Sequence, residues 1–425
     1  MALIVPKRPL RALFVHQNFP GQYAHLAPAM AARKGVQVIA FGEKPGYSAP
    51  GVTYIPCGAP KGAGEQTHRY LRPVESAVRR GQSVATKAAE LRQKGFVPDI
   101  IVGHPGWGEA LFLKDVWPNA RCLFYWEFYY HSTGQDLGFD PEQPVSLDDA
   151  ARVRVMNATQ LMSLQVADWG VSPTRWQWSR YPDWARRRIS VLHEGVDTER
   201  CAPDPAASFT LPNGTVLRRG DKVISYVARN LEPYRGFPIF MRALPKVQRR
   251  HPDAQIVIVG GNEVSYGKPP PDGGNWREVM LKELEGQLDL SRIHFTGRVP
   301  YGDLLALFRT TTVHAYLTYP FVLSWSMLEA MACGALVLGS ATPPVQEAIE
   351  DGRTGLLTPF FDHEALAQRL NRVLDAPAAL DPIRAAARES IIARYDLRSV
   401  CLPKQIELVE RIAAGAKPEP EPEPE

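Results

Sequence analysis

Residues 316–340, YLTYPFVLSWSMLEAMACGALVLGS, set the fold class of this chain. A strand-length apolar run, residues 312–317, leads in and stops at Tyr319-Pro320, because proline fixes its own φ and disfavours helix in the residue before it. Ser324 and Ser326 then stand where an N-cap belongs, ahead of a segment with apolar residues at Leu328, Met331 and Ala332. Gly334 ends that helix and Leu336-Val337-Leu338 opens the next strand. The unit is strand, loop, short helix, strand. Its helix N-terminus suits a phosphate, since the first N–H groups are unpaired and the helix dipole adds positive charge. Glu329, near the first turn, offers two acceptor oxygens that fit a ribose diol. The plainer alternative is an ordinary βαβ unit whose acidic residue is favoured by the dipole.

The same alternation extends to both sides. Upstream, residues 222–227 read as a strand that exits into ARNLEPYRGF. There Arg229 and Arg235 could grip a diphosphate with forked guanidinium geometry, or simply add surface charge. QIVIVGG, ending in Gly261, is a buried parallel strand, and NEVSYGKPPPDGGN after it is an irregular loop on the ligand side. IHFTGRV is another strand, followed by a helix over 301–309. Downstream come a short helix, the strand in RTGLLTPF, and helices over 362–374, 382–394 and 397–414. KPEPEPEPE closes the chain as a disordered acidic tail.

The first half repeats the pattern. LRALFVH enters the loop QNFPGQ, with Gly21 at the turn into a helix over 23–34, where backbone can approach a ligand closely. No GxGxxG fingerprint is present. A long helix over 69–94 precedes the strand DIIVG, and His104 follows at that strand's carboxyl end, where open α/β sheets collect ligands. The strand over 122–126 runs into EFYYHSTGQDLGFDPE, where Glu127 and His131 are candidates for hydroxyl recognition or proton handling. A helix over 147–165 and the strand ADWGVS follow. Residues 173–188 mix Trp176, Trp178 and Trp184 with arginines, which suits either an anionic membrane face or a helix that packs its tryptophans. CAPDPAA and LPNG read as an interdomain linker.

At 425 residues the chain exceeds a single core, which stops growing near roughly 250–300 residues. A net charge of +4 is too small for its length to suggest a nucleic-acid binder. The five cysteines are scattered without CxxC spacing, which argues against disulfide frameworks and zinc sites. No apolar run approaches the roughly 18 residues of a membrane span, and the first residues lack a signal-peptide core, so a cytoplasmic location is expected.

Several landmarks, in order, resemble the retaining glycosyltransferases of family 4 (glycosyl transferases group 1). HQNFPGQYAHLAPAMA is similar to the first glycine loop and helix of that family. HEGVD (193–197) is similar to its N-G-V-D turn. ARNLEPYRG resembles the basic G-R-L-x-x-x-K-G element, with Arg229 at the arginine and Arg235 standing for the lysine. SMLEAMACGALVLGS resembles L-E-A-M-A-x-G-x-P-V-V, and DGRTGLL the strand that follows it. The likeness covers residues 10–412. It implies the GT-B architecture, two Rossmann-like domains facing each other across a cleft. Residues 1–203 would form the acceptor domain and 204–390 the nucleotide-sugar domain. A helix over 391–412 would return to the first domain, with the disordered tail at 415–425.

By this resemblance Glu329 holds the ribose, and Arg229 and Arg235 neutralise the diphosphate. Backbone around Ser324, Trp325 and Ser326 faces the donor, with Gly261 nearby. Thr296, Arg298 and Val299 border the base, and Gly21 lets the first loop reach the sugar-phosphate. The family works without metal, and its retention is explained by a same-side displacement in which a leaving phosphate oxygen takes the acceptor proton. The protein then needs charge stabilisation more than a strong base. One departure matters: the family pairs the ribose glutamate with another eight residues earlier, and here that position is Phe321. The sugar is therefore held differently or is not the common one. In the first domain Glu127 stands near the strand end where the family often has a histidine, with His104 and His131 as competitors for sugar or acceptor contact.

The implied activity is metal-independent, retaining transfer of a hexose from a UDP-sugar, or next a GDP-sugar, to a hydroxyl of a glycan or lipid-linked acceptor. No cofactor beyond the nucleotide-sugar co-substrate is implied. An inactive sugar-nucleotide-binding protein and a GT-B epimerase are the alternatives. Residues 69–80 and 175–188 suggest peripheral contact with an anionic membrane at its inner face.

Overall fold

The computed structural model describes residues 8–141 and 143–422. The chain divides into two compact units, one running to Gly195 and resuming at Arg398, the other spanning Val196–Leu397.

The first unit is built on seven parallel strands: β1 (Leu10–Val15), β2 (Val36–Gly42), β3 (Val52–Pro56), β4 (Ile100–Gly103), β5 (Arg121–Tyr125), β6 (Trp169–Ser172) and β7 (Ile189–Val191). Their order is β3-β2-β1-β4-β5-β6-β7. Side chains alternate between the two faces of a strand, so both faces of these apolar runs need cover. Leu13, Ile101 and Phe124 enter one core, and Phe14, Val102 and Leu123 enter the other. The last helix, Leu402–Ala413, places Leu408, Val409 and Ile412 in the second of these cores.

The second unit opens with an antiparallel hairpin, β8 (Ser208–Thr210) and β9 (Val216–Arg218). It continues as a six-stranded parallel sheet: β10 (Val223–Asn230), β11 (Gln255–Gly261), β12 (Ile293–Gly297), β13 (Val313–Tyr316), β14 (Leu336–Ser340) and β15 (Leu356–Thr358). The order is β12-β11-β10-β13-β14-β15. The strand order of each parallel sheet therefore reverses once, between β1 and β4 and between β10 and β13. In open α/β sheets the crevice at the carboxyl ends of such a strand pair is where ligands collect.

Local expectations and structure differ in places. LPNG does not act as linker; it turns β8 into β9, and Phe209, Leu211 and Leu217 are buried against the sheet. The helix expected over 147–165 is two, Leu147–Met156 and Ala158–Val166. They part at Asn157, whose side chain accepts the Tyr130 N–H at 3.0 Å and donates to the Tyr130 carbonyl at 2.8 Å. The helix expected over 23–34 shortens to Leu26–Ala31 behind a 3-10 turn, Gly21–Tyr23. The tail expected to be disordered is placed as far as residue 422, where Glu421 accepts the Val191 N–H at 2.9 Å and pairs with Arg175. Residues 423–425 lie outside the described residues.

Candidate functional site

In the first unit the switch point is lined by the residues that leave β1 and β4. His16 follows β1 and His104 follows β4, and their rings lie 5.3 Å apart. Trp107 stacks on His104 at 4.3 Å and meets His16 edge-on at 5.4 Å. Each Nδ1 accepts a backbone N–H, from Asn18 (2.9 Å) and Gly106 (3.2 Å), so in the neutral rings the protons sit on Nε2. Burial, reinforced by neighbouring His104, holds the His16 pKa down at about 3. His104 Nε2 faces Glu127 Oε2 at 3.5 Å, and Glu127 Oε1 accepts from Gln22 at 3.3 Å. Gly21 has φ +48°, and a Cβ there would collide with the His16 ring. Glu109 accepts the Gln17 N–H at 2.9 Å, and burial raises its carboxyl above the usual range. Glu109 Oε2 has no hydrogen-bond partner among the described residues. Imidazole N–H donors beside a partly exposed carboxylate acceptor can recognise hydroxyl groups. His131 does not join this group; its Nε2 meets the Arg180 carbonyl at 2.7 Å.

In the second unit Arg229 is exposed near the end of β10, and Arg235 lies in the turn Pro233–Arg235 that follows. Tyr226 on β10 donates to the Arg235 carbonyl at 2.8 Å, which seats that turn. Gly236, φ +68°, lets the chain pass Leu317, with which a side chain would collide. The Arg235 guanidinium is buried. Its Nη1 donates to Thr318 Oγ1 (2.7 Å) and to the Val322 carbonyl (3.2 Å), and the group lies 5.3 Å from the Tyr266 ring centre. Arg235 thus braces the loop after β13 as well as carrying charge to the sheet edge.

The loop after β11 is fixed by a buried carboxylate. Glu232 accepts the N–H groups of Ser265 (3.2 Å), Tyr266 (3.1 Å) and Gly267 (2.9 Å). On the outer side Arg298 pairs with Glu263 at 2.7 Å, next to Gly261 at the end of β11. Thr296 donates its hydroxyl to the Ile258 carbonyl at 3.3 Å, and Val299 packs against the neighbouring core.

The helix Trp325–Ala332 starts at Ser324 with extended backbone, φ −82° and ψ 137°. Ser324 makes no side-chain cap; its hydroxyl meets Ser326 Oγ at 2.9 Å, and its N–H is donated to the Tyr316 hydroxyl at 2.8 Å. Trp325 is exposed and Phe321 is buried among aromatic rings. Tyr301 donates to Glu329 Oε1 at 2.7 Å, and Arg200 stacks on the Tyr301 ring at 4.5 Å. Of the two acceptor oxygens expected to be open on Glu329, Oε1 is already engaged by a protein hydroxyl.

Arg229, Arg235, Gly261, Thr296, Arg298, Phe321, Ser324 and Glu329 all come from the carboxyl edge of one sheet or the element that follows it. Sequence reasoning missed His16, Glu109, Glu232, Tyr266 and Tyr301. His16 was findable, because it ends LFV as His104 ends IIVG; the others depend on contacts across long sequence separations.

The basic-aromatic segment is mostly internal. Trp176 and Trp178 are buried, while Trp184 is 53% exposed. Arg186 pairs with Asp183, Arg79 with Glu75, Arg80 with Glu43 and Arg69 with Asp148. Among the described residues no helix is long and apolar enough to cross a membrane, and no group of three or more His, Cys, Asp or Glu is arranged for a metal ion.

Two family models match the chain: "Glycosyl transferase family 4 group" over residues 34–201 and "Glycosyl transferases group 1" over residues 210–390. Among curated proteins, a GDP-mannose-dependent alpha-(1-6)-phosphatidylinositol monomannoside mannosyltransferase of Mycolicibacterium smegmatis is 29% identical over 47% of this chain and 49% of that one. A D-inositol 3-phosphate glycosyltransferase of the same species is 31% identical over 59% and 50%. The chain thus spans about half the length of the curated relatives it matches. Among solved structures, sucrose-phosphate synthase of Thermosynechococcus elongatus superposes with a TM-score of 0.68 at 20% identity, covering 96% of this chain and 100% of that one. Anabaena HepE in complex with UDP and glucose gives 0.63 at 16%, covering 94% and 99%. At these identities the likeness is one of fold.

Proposed function

Because the chain belongs to the family 4, group 1 glycosyltransferases, we propose that it moves a hexose from a nucleoside-diphosphate sugar to a hydroxyl of a glycan or glycolipid, with retention and without a metal ion. The observation that carries this reading is the convergence of Arg229, Arg235 and Glu329 on the carboxyl edge of the six-stranded sheet, around its switch point.

In this reading Arg229 and Arg235 stabilise charge on the departing diphosphate, where electrostatic stabilisation is worth most. An oxygen of that leaving group accepts the proton of the attacking hydroxyl. Glu329 offers Oε2 to the ribose while Tyr301 occupies Oε1. In the first unit His104 Nε2–H and Glu127 contact the transferred sugar or the acceptor. UDP is the first choice of nucleotide and GDP the next. The UDP in the HepE complex supports the first, and the name of the mannosyltransferase relative supports the second. The phosphatidylinositol monomannoside in the name of the mannosyltransferase relative supports a glycolipid acceptor. Contact with an anionic membrane from the cytoplasmic side belongs to the same proposal, through residues 69–80 and 175–188. Equal partitioning to neutral and anionic vesicles would remove it.

A thermal-shift screen of nucleoside diphosphates and their sugars tests the donor site, since a ligand of the folded form raises the melting point. Donor turnover present in the parent and lost in Arg235→Ala and Glu329→Ala would support catalysis at this site. Binding without turnover in the parent would favour the inactive sugar-nucleotide-binding alternative.

A further inference from the structure

Loops from the carboxyl edge of the six-stranded sheet send aromatic rings to one place. Tyr234 follows β10, Tyr266 follows β11, and Tyr319 and Phe321 follow β13. Tyr234 stacks on Tyr319 at 4.7 Å and meets Phe321 edge-on at 5.8 Å. Tyr266 lies 5.0 Å from Phe321, and the Arg235 guanidinium lies 5.3 Å from the Tyr266 ring centre. Phe321 is 7% exposed and Tyr266 is 37% exposed, so the cluster is anchored inside and presents a ring at its rim.

The carboxylates on the surrounding elements have other work. Glu232 binds three backbone N–H groups and thereby sets the position of Tyr266. Glu263 pairs with Arg298, and Glu329 accepts from Tyr301. A group that lies against Phe321 and Tyr266 beside Arg235 therefore meets ring faces and edges.

We propose that this wall selects a nucleoside-diphosphate 6-deoxyhexose as donor, with the diphosphate at Arg235 and the C5 methyl group against Phe321 and Tyr266. The inference rests on the donor-site reading above and names the sugar it takes. A methyl group gains by leaving water for an aromatic surface. A hydroxymethyl group against the Phe321 ring gives up its hydrogen bonds to water and meets a ring that offers none in return. An apolar pocket discriminates against an added hydroxyl by about a hundredfold at most, so the expected preference is about tenfold to a hundredfold. Phe321 is then a specificity-determining residue.

The test is calorimetry on the full chain with UDP and GDP alone, then with two matched pairs: UDP-glucose against UDP-6-deoxyglucose, and GDP-mannose against GDP-6-deoxymannose. For the nucleotide that binds, the 6-deoxy sugar is expected to bind at least about tenfold tighter than its hydroxylated partner. Phe321→Glu supplies a hydroxyl acceptor and should bring that ratio to one or below. If Phe321→Glu does not fold, Tyr266→Ala at the exposed rim carries the test, and the ratio should fall severalfold. A parent that binds the hydroxylated sugar as tightly, or a ratio unmoved in the folded variant, would overturn the inference and leave the donor site intact. Failure of both UDP and GDP to bind would overturn the donor site, and this inference with it.

Discussion

Tyr301 donates its hydroxyl to Glu329 Oε1 at 2.7 Å, joining the helix Tyr301–Thr310 to the helix Trp325–Ala332. Burial raises the Glu329 carboxyl above the usual range, while the Tyr301 hydroxyl and Arg200 pull it back. A raised acid takes up its proton at a higher pH than a free carboxyl, so its ionised acceptor form is lost earlier on acidification. Affinity for the bound nucleoside diphosphate should therefore decline with a midpoint above the ordinary glutamate value of about 4.3. Tyr301→Phe removes a hydrogen bond to the ionised form, worth about 1.5–3 kcal/mol, and should move that midpoint up by about one pH unit or more. Dissociation constants measured calorimetrically against pH check this; identical midpoints in parent and variant would count against it.

Glu232 holds the backbone at Ser265, Tyr266 and Gly267 from a fully buried position. Glu232→Ala leaves those N–H groups without their acceptor and should cost about 3 kcal/mol or more in urea unfolding. The loosened loop should also be cut faster by chymotrypsin after Tyr266, which is exposed. A variant as resistant as the parent would mean that other contacts hold the loop.

Gly21 and Gly35 both have positive φ, +48° and +80°, but only Gly21 faces a ring. Gly35→Ala should cost about 1–2 kcal/mol, the penalty of a left-handed backbone. Gly21→Ala adds overpacking against His16, typically about 1–3 kcal/mol more. Equal losses for the two variants in denaturant titrations would show that the His16 ring moves aside freely.

Burial of His16 depresses its pKa from 6.5 to about 3. Between those values the unfolded chain binds the proton and the folded chain does not. The contribution is fully present above pH 6.5 and is lost as pH falls toward about 3, at up to about 1.4 kcal/mol per pH unit. His16→Gln should flatten the decline of urea stability with falling pH across that window. A slope equal to the parent's would show that His16 is protonated in the folded state.

Much of the fold was legible because parallel strands are short apolar runs between punctuating loops. QIVIVGG is β11, IHFTG is β12, and the helix ending before Gly334 lies at Trp325–Ala332. Boundaries were less legible where a side chain elsewhere competes with the backbone, as Asn157 does with Tyr130. The LPNG turn was misread because its polar tip resembles a linker, while the burial of Phe209 and Leu217 beneath it is a tertiary fact.

Local pattern along the chain specifies the alternation of strand and helix and puts Arg229 at a strand end, Arg235 in a turn, Phe321 in a loop and Glu329 on a helix. Local periodicity and breaker residues are sufficient for that, since each acts within a few residues. Which of those elements meet is set by the order of the strands. Arg235 and Thr318, 83 residues apart, are joined because β13 inserts beside β10, and no local pattern encodes strand order. The same long-range pairing engages one oxygen of Glu329 with Tyr301 and fixes Tyr266 beside Arg235, so it decides which atoms remain open to a ligand.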